Sequence, residues 1–482
     1  MEPHTDRTRE RSVRRERAVW IGVTAVIVAA LLAVLIPVRA FAQSQDSESE
    51  RLLSMFEEVF RLVQQNYVEE PNAEELIQGA LDGMFESLDD PHSAYLTPEE
   101  FRDLTDTTQG RFGGVGMYIS KQDSEDGDTE GDEDAFVEVY SAIEDTPAYR
   151  AGVRAGDLIV AIEEKSTKKL DMDEVVSRLR GSPGSTVTIT IRRGEQKTFP
   201  LTLERAIIEV PTVKHAMIPE NIAFLRIIQF TPYTADRVKE AIKSFEDQGY
   251  EKMIIDVRHN PGGVLNSVVD TADLFFEDGL LVGTRGRMAS ENQRFTADSG
   301  REVPADIPIV VLIDGGSASA AEILAGALKD RDRAYLMGQT TYGKGSVQQV
   351  SRLQMGGLRM TTAKYYTPDG TYIEGSGVSP HKVVQEPQLS DEELDAYSNL
   401  RASNTIVNFV ERNNDPSEEE VQRFVDRLQQ EEDVPLSDRR LEKMVRDEVH
   451  RANNTTSVYD LEYDVVLQEA VELLRSGELP TQ

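Results

Sequence analysis

The chain has 482 residues, no cysteine and a formal net charge of −34. That length leaves room for two or three hydrophobic cores. The missing cysteine excludes thiol catalysis and disulfide bonds, and the acidic balance disfavours nucleic acid and anionic lipid as partners. Arginines at 7, 9, 11, 14, 15 and 17 precede an uncharged apolar run from Ala18 to Val38. At about 1.5 Å per residue this run reaches roughly 31 Å, enough to cross a bilayer, and the basic flank stays cytoplasmic. Residues 1–17 therefore read as a cytoplasmic basic segment, and 18–38 as a transmembrane anchor or signal peptide. Ala40-Phe41-Ala42 fits a cleavage site, while the length of the run favours an uncleaved anchor. In both cases the remainder is expected outside the cytoplasm.

Residues 44–108 read as a helical region in which Leu52, Phe56, Phe60 and Leu62-Val63 form an apolar stripe for core or partner packing. Next, Gly110-Arg111-Phe112-Gly113-Gly114-Val115-Gly116-Met117-Tyr118-Ile119 is a glycine-rich turn entering a strand. It resembles the carboxylate-binding loop of a PDZ domain. Consecutive N–H groups in such a loop cradle a terminal carboxylate, and the strand edge accepts a peptide by β-augmentation. The candidate peptide-binding residues are Gly114, Val115, Gly116, Met117 and Tyr118. Thr146-Pro147-Ala148, the run from Ala151 to Ile162, and the alternating Val187, Ile189 and Ile191 complete a PDZ-like domain over 109–203. Glu163-Glu164-Lys165 departs from the Asp-Gly turn usual there, and the acidic insert from Lys121 to Asp134 reads as a solvated loop.

Further on, Met253-Ile254-Ile255-Asp256-Val257-Arg258 predicts a strand, Asn260-Pro261-Gly262-Gly263 a turn, and Val264, Leu265, Val268 and Val269 a helix. The same order recurs at Val310-Val311-Leu312-Ile313, then Asp314-Gly315-Gly316-Ser317-Ala318-Ser319, then a helix carrying Ile323, Leu324, Ala327 and Leu328. Ser319 is thereby expected at a helix N-terminus, where unpaired N–H groups and the helix dipole stabilise developing negative charge. Ser319-Ala320-Ala321-Glu322 also fits a capping box. From these four residues alone an ordinary N-cap and a nucleophile are both open.

Lys344 lies in Thr341-Tyr342-Gly343-Lys344-Gly345-Ser346-Val347-Gln348, where flanking glycines let backbone approach closely. A free lysine, with a pKa of about 10.4, takes a hydroxyl's proton at neutral pH only if burial lowers it by roughly three units, about 4 kcal/mol. Gln348 stands four residues on, a spacing that puts both side chains on one face, and its amide oxygen can orient the amine without adding charge. Gly345 occupies the Ser/Thr position that a Walker loop requires, which excludes nucleotide binding there. A Ser-His-Asp reading through His259 is set aside because no carboxylate is marked as its orienter. Scattered histidines without H-E-x-x-H give no metal site, and no cofactor is expected.

Gly316-Ser317-Ala318-Ser319-Ala320-Ala321-Glu322, the run Gly343 to Gln348, Asn260-Pro261-Gly262-Gly263, Asp89-Asp90-Pro91-His92-Ser93-Ala94-Tyr95-Leu96 and Lys364 to Gly370 together resemble the carboxyl-terminal processing peptidases, or tail-specific proteases, over roughly residues 50 to 385. The resemblance implies Ser319 as nucleophile, Lys344 as general base and Gln348 as third member, with Ser317 a decoy. It further implies backbone amides of Ala320 and a glycine of the 260–263 turn, Gly263 ahead of Gly262, as oxyanion donors, and Asp330 in a supporting role. The implied fold is α/β, or α+β multidomain: a crotonase/ClpP-like ββα catalytic core at 204–385 with an inserted PDZ domain and helical N- and C-terminal regions, the latter at 386–482. The implied partners are substrates with exposed C-termini and a second copy of the chain in a homodimer formed through terminal helices. The implied location is the extracytoplasmic side of a bacterial envelope, anchored to the inner membrane by residues 18–38. A non-catalytic PDZ scaffold and an acyl-coenzyme hydratase of the crotonase-like kind are the competing classes.

Overall fold

The computed structural model describes residues 48–477 apart from 122–135, 144, 195–196, 299, 386–388, 432–433, 454 and 456. The expected membrane segment at 18–38, its basic flank and the acidic insert after Lys121 lie outside these residues. Among the described residues no helix is long and apolar enough to cross a membrane. The chain divides into two compact units, residues 1–91 and 92–482. In the first, a helix over 48–66 precedes the helix Ala73–Glu86, whose N-cap Asn72 accepts a hydrogen bond from the Glu74 N–H. Leu52, Phe56 and Leu62, expected to pack, are exposed there.

At the centre of the second unit is a sheet in the order Val213–Ile218, Ile222–Ile227, Lys252–Asp256, Ile309–Ile313, Tyr335–Gly338 and Lys382–Val383. The first pair is antiparallel and the rest run parallel. Parallel strands covered on both faces read as unbroken apolar runs, which explains why Met253 to Ile255 and Ile309 to Ile313 show no alternation in sequence. Their side chains alternate in space nonetheless. Leu225, Ile255 and Val311 pack with the helices Thr234–Gln248, Leu265–Asp273 and Ala320–Asp330, whereas Phe224, Ile254, Val310 and Leu312 pack with Val465–Ser476. Val466, Leu467, Ala470, Val471 and Leu474 of this last helix are buried on the sheet. At roughly 1.5–3 kcal/mol per buried side chain of this size, this terminal helix commits its apolar face within the chain.

A second, antiparallel sheet sets Gly357–Tyr366 between Ser346–Arg352, Leu280–Gly286 and Ala94–Leu96. The segment from His92, expected with the N-terminal helical region, thus belongs to the second unit. The His92 carbonyl accepts a hydrogen bond from Arg359 Nε at 2.9 Å, and Ser93 Oγ accepts one from the Thr361 N–H at 2.9 Å. The PDZ-like sheet places Met117–Ser120, Val137–Ala142, Leu158–Ile162, Thr186–Arg193 and Lys197–Glu204 in sequence order, around Val139, Ile159, Val175 and Ile189. Arg111–Gly114 stands apart from it, paired with Ala206–Glu209. The helices Asp391–Ala402, Thr405–Arg412, Glu418–Glu431 and Asp438–Ala452 enclose a core of their own around Val410, Val425 and Leu441.

The unusual Glu163-Glu164 turn joins Leu158–Ile162 to Lys165–Ser166 as a two-residue hairpin, with φ of 47° and 68°. Tight hairpins need positive φ at both central residues, which favours Asn-Gly and costs a glutamate about 1–2 kcal/mol. The Glu163 side chain recovers part of this by accepting from the Thr188 N–H at 2.7 Å; among the described residues Glu164 makes no such bond. Glu164→Gly is therefore expected to stabilise the protein by roughly 0.5–1 kcal/mol, read as a higher urea midpoint. A midpoint that stays or falls contradicts the assignment of strain.

Candidate active site

Lys252–Asp256 and Ile309–Ile313 are parallel neighbours, so their carboxyl ends open side by side, where ligands bind in open parallel sheets. The two turns that follow are stitched together. Ala318 N–H donates to the Asn260 carbonyl at 2.9 Å, and Ser317 Oγ donates to the Val257 carbonyl at 2.8 Å. Asn260, fully buried, donates from Nδ2 to the Ile227 carbonyl and accepts at Oδ1 from the Gly262 N–H, both at 2.8 Å. Ser317 Oγ also accepts from the Asp314 N–H, so this hydroxyl is bound in the turn.

Ser319 begins the helix Ala320–Asp330 with φ 53° and ψ −113°. An ordinary N-cap residue has extended dihedrals. A non-glycine residue in this region costs of order 1–3 kcal/mol and persists only where the surroundings over-determine it. What holds it is Glu322, a fully buried carboxylate. Oε2 accepts from the Ser319 and Lys344 N–H groups, each at 2.8 Å, and Oε1 accepts from Thr341 Oγ1 at 2.6 Å and the Gly343 N–H at 2.7 Å. One side chain thus ties the candidate nucleophile's backbone to that of the candidate base.

The loop bearing Lys344 is fixed on its other side as well. Gly345 N–H donates to Glu374 Oε2 at 2.8 Å, and a Cβ at Gly345 would stand 2.3 Å from the Glu374 nitrogen, so only glycine fits. Lys344 itself is half-buried, and its ammonium has no hydrogen bond or ion pair among the described residues. Burial lowers its pKa, the Arg359 guanidinium lowers it further, and Glu374 acts in the opposite direction. Gln348 is not joined to it. Its Nε2 donates to Ser346 Oγ at 3.0 Å and Thr361 Oγ1 at 3.2 Å, on the strand that begins two residues after Lys344.

Gly262 approaches so closely that a Cβ there would lie 2.8 Å from Ser319 Cβ and 2.9 Å from the Ala320 nitrogen. Its own N–H is taken by Asn260. The N–H groups of Gly263, which follows Gly262 in its turn, and of Ala320, which follows Ser319, have no acceptor among the described residues. Asp330 lies at the far end of the helix and accepts from the Asp369 N–H at 3.1 Å. Burial raises its pKa; Asp369 is held at about 2, against burial, by hydrogen bonds from Thr367 and Thr371.

Three features escaped the sequence. His259 does have a carboxylate beside it: Asp314 Oδ2 lies 3.0 Å from its Nδ1, and Asp314 Oδ1 accepts from its N–H at 2.9 Å, although the imidazole is 78% exposed. Arg258, in the turn region, bridges Asp256 and Asp464, the latter 206 residues away at the N-cap of Val465–Ser476. Burial opposes its charge, but the two carboxylates raise its pKa. The third is Glu322, visible only as the end of a capping box.

The PDZ-like loop is held by its carbonyls, leaving donors open. Ala148 and Ile143 N–H groups donate to the carbonyls of Val115 and Gly116 at 2.9 and 3.0 Å, while the Val115 and Gly116 N–H groups have no acceptor among the described residues. Met117–Ser120, with Tyr118 half exposed, is the outermost strand of its sheet.

Residues 221–384 match peptidase family S41, 138–193 match a PDZ domain, and 36–100 match the N-terminal domain of the activating protease CtpB. Over 380 residues the chain is 39% identical to the carboxy-terminal-processing protease of Bartonella bacilliformis, covering 77% of this chain and 83% of that one. The chain belongs to the carboxy-terminal processing proteases of peptidase family S41. It is 31% identical to the carboxy-terminal processing protease CtpA of Bacillus subtilis, over 76% of each chain. Among solved structures, the photosystem II D1 C-terminal processing protease is 28% identical, with 69% of this chain and 87% of that one covered and a TM-score of 0.41. The protein is accordingly a serine-type peptidase of multidomain α/β architecture carrying a PDZ domain. The PDZ match begins at 138, so the edge strand Met117–Ser120 and its loop are additions from the sheet pairing.

In a family of serine peptidases, a clamp on both the strained serine and the lysine loop makes Glu322 a positioning residue. Glu322→Gln places an amide NH2 against N–H donors and is expected to cost roughly 2–4 kcal/mol of stability and about a hundredfold in peptide hydrolysis. Initial rates and a melting curve on the purified variant decide this; a rate within threefold of the parent contradicts the clamp.

Proposed function

We propose that the protein is an exported endopeptidase which takes substrate C-termini into its PDZ domain and cleaves them with Ser319 as nucleophile and Lys344 as base. The carrying observation is the shared carboxylate of Glu322, which fixes a strained Ser319 and the half-buried Lys344, unpaired among the described residues, to one anchor. Neutral Lys344 takes the Ser319 proton as the hydroxyl attacks the scissile carbonyl. The N–H groups of Gly263 and Ala320 hold the oxyanion, each such donor being worth about 10²–10³ in rate. The lysine ammonium then protonates the leaving amine, and an acyl-enzyme remains. Lys344 next removes a proton from water, whose attack releases the acid and regenerates Ser319. Gln348, fixed through its NH2 group, has its amide oxygen available to orient the amine. Asp330 supports the site from the far end of the helix by holding the loop around Asp369. Residues 18–38 and their basic flank support placement of the catalytic part outside the cytoplasm, anchored in the envelope. The exposed stripe of the 48–66 helix supports a homodimer.

One observation favours a second reading: Asp314 lies beside His259, as a Ser-His-Asp set requires. The high exposure of the imidazole speaks for the lysine. Cleavage of an unstructured protein with an apolar tail is expected to fall by at least about 10³-fold in Ser319→Ala and in Lys344→Ala and to stay within about threefold in His259→Ala. Because the reactive form is neutral lysine, the rate rises with pH through the pKa of Lys344, which burial and Arg359 hold below 10.5. Removing the opposing carboxylate in Glu374→Gln shifts this rise to lower pH. A pH profile indifferent to Glu374, or a large loss in His259→Ala, overturns the lysine as base.

A further inference from the structure

Met117 and Ile119 of the edge strand Met117–Ser120 pack on the same apolar core as Met172, Val175 and Leu179 of the helix Met172–Leu179, which makes this strand and this helix the two sides between which a captured tail would lie. At the helix end, Gly181 N–H donates to the Gly113 carbonyl at 3.1 Å, which closes the groove at the carboxylate loop. Just before the helix, Lys121 Nζ donates to the carbonyls of Lys168 and Leu170 at 2.8 and 3.0 Å, tying the end of the strand to the segment that leads into the helix. The strand alternates in burial, with Met117 and Ile119 inward and Tyr118 and Ser120 exposed, and Lys121 continues the inward set. Met117, Ile119 and Met172 line the same apolar core. The groove is therefore an apolar slot ended by a cation.

A tail whose carboxylate sits on the Val115 and Gly116 N–H groups must run antiparallel to the edge strand, because its C-terminus meets the strand's beginning. Its last residue then lies opposite Met117, and each earlier residue opposite the next strand position. The fifth residue from the end falls opposite Lys121, and directly opposed residues share a face. Two N–H bonds of the ammonium are spent on carbonyls; among the described residues the third N–H and the charge have no partner. Nearby, Asp171 accepts from the Glu174 N–H and Glu174 pairs with Arg178, so both carboxylates already have partners.

We propose that Lys121 is a specificity-determining residue of the tail groove, selecting a carboxylate side chain on the fifth residue from the substrate's C-terminus. This rests on the tail-capture reading above. The test uses the full chain with Ser319→Ala, which binds without cleaving, and fluorescent ten-residue tails that differ only in Glu, Gln or Lys at that residue. Fluorescence anisotropy is expected to give about fivefold tighter binding of Glu than Lys, loss of the difference in Lys121→Met, and reversal in Lys121→Glu. The Gln tail, bound within about twofold by all three proteins, reports that the groove is intact. An undiminished preference for Glu in Lys121→Met overturns the proposal, as does loss of the Gln tail in that variant, which would assign Lys121 to holding the walls together. Failure of the parent to bind any tail overturns tail capture itself.

Discussion

The carboxylate of Glu322 is buried in the catalytic unit, and each hydrogen bond it accepts comes from the backbone or hydroxyl of a residue at or beside the candidate nucleophile and base. Burying a carboxylate costs several kcal/mol unless its oxygens are fully occupied by donors. Here the four donors offset that cost, and they do so only when the turn at Ser319 and the loop at Lys344 are both in place. The strained dihedrals of Ser319 are therefore maintained by long-range structure. Electrostatics follow from the same arrangement: Lys344 is held half out of water beside Arg359, which favours the neutral amine a general base requires.

Around this anchor the sheet supplies rigidity. Two buried parallel strands end side by side, and Gly262 of the first turn packs against Ala318, Ser319 and Ala320 of the second, while the Gly263 and Ala320 amides have no acceptor among the described residues. The C-terminal helix contributes from behind. It covers the far face of the sheet, and Asp464 at its cap grips Arg258, next to the turn that carries Gly263. The C-terminal helical region is thus structurally continuous with the turn that carries Gly263.

Much of the architecture was legible because it depends on local signals. Apolar runs closed by glycines mark both strand-turn-helix units, and the glycine-rich stretch before Met117 marks the loop that leads into the edge strand. The capping-box pattern at Ser319 was ambiguous for a physical reason: Glu322 does accept from the Ser319 N–H, yet the dihedrals are not those of a cap. What stayed hidden requires distance. Nothing in sequence brings Asp464 to Arg258, Asp314 to His259, or Arg359 toward Lys344. The spacing of four between Lys344 and Gln348 implied a shared face, but the strand starts only at Ser346 and Gln348 turns its NH2 to Ser346 and Thr361. The segment after His92 reads as helical by composition yet forms an edge strand, because Gly357–Tyr366 offers it a partner more than 260 residues away.

The pairing of Ser319 with Lys344 is tested most directly by labelling with a serine-directed acylating reagent, followed by peptide mapping, in the parent and in a folded Lys344→Met variant. The account predicts a single adduct on Ser319 in the parent, forming faster as pH rises, and almost none without the lysine. An adduct on Ser317, or labelling of Ser319 at the parental rate in the absence of Lys344, would contradict it.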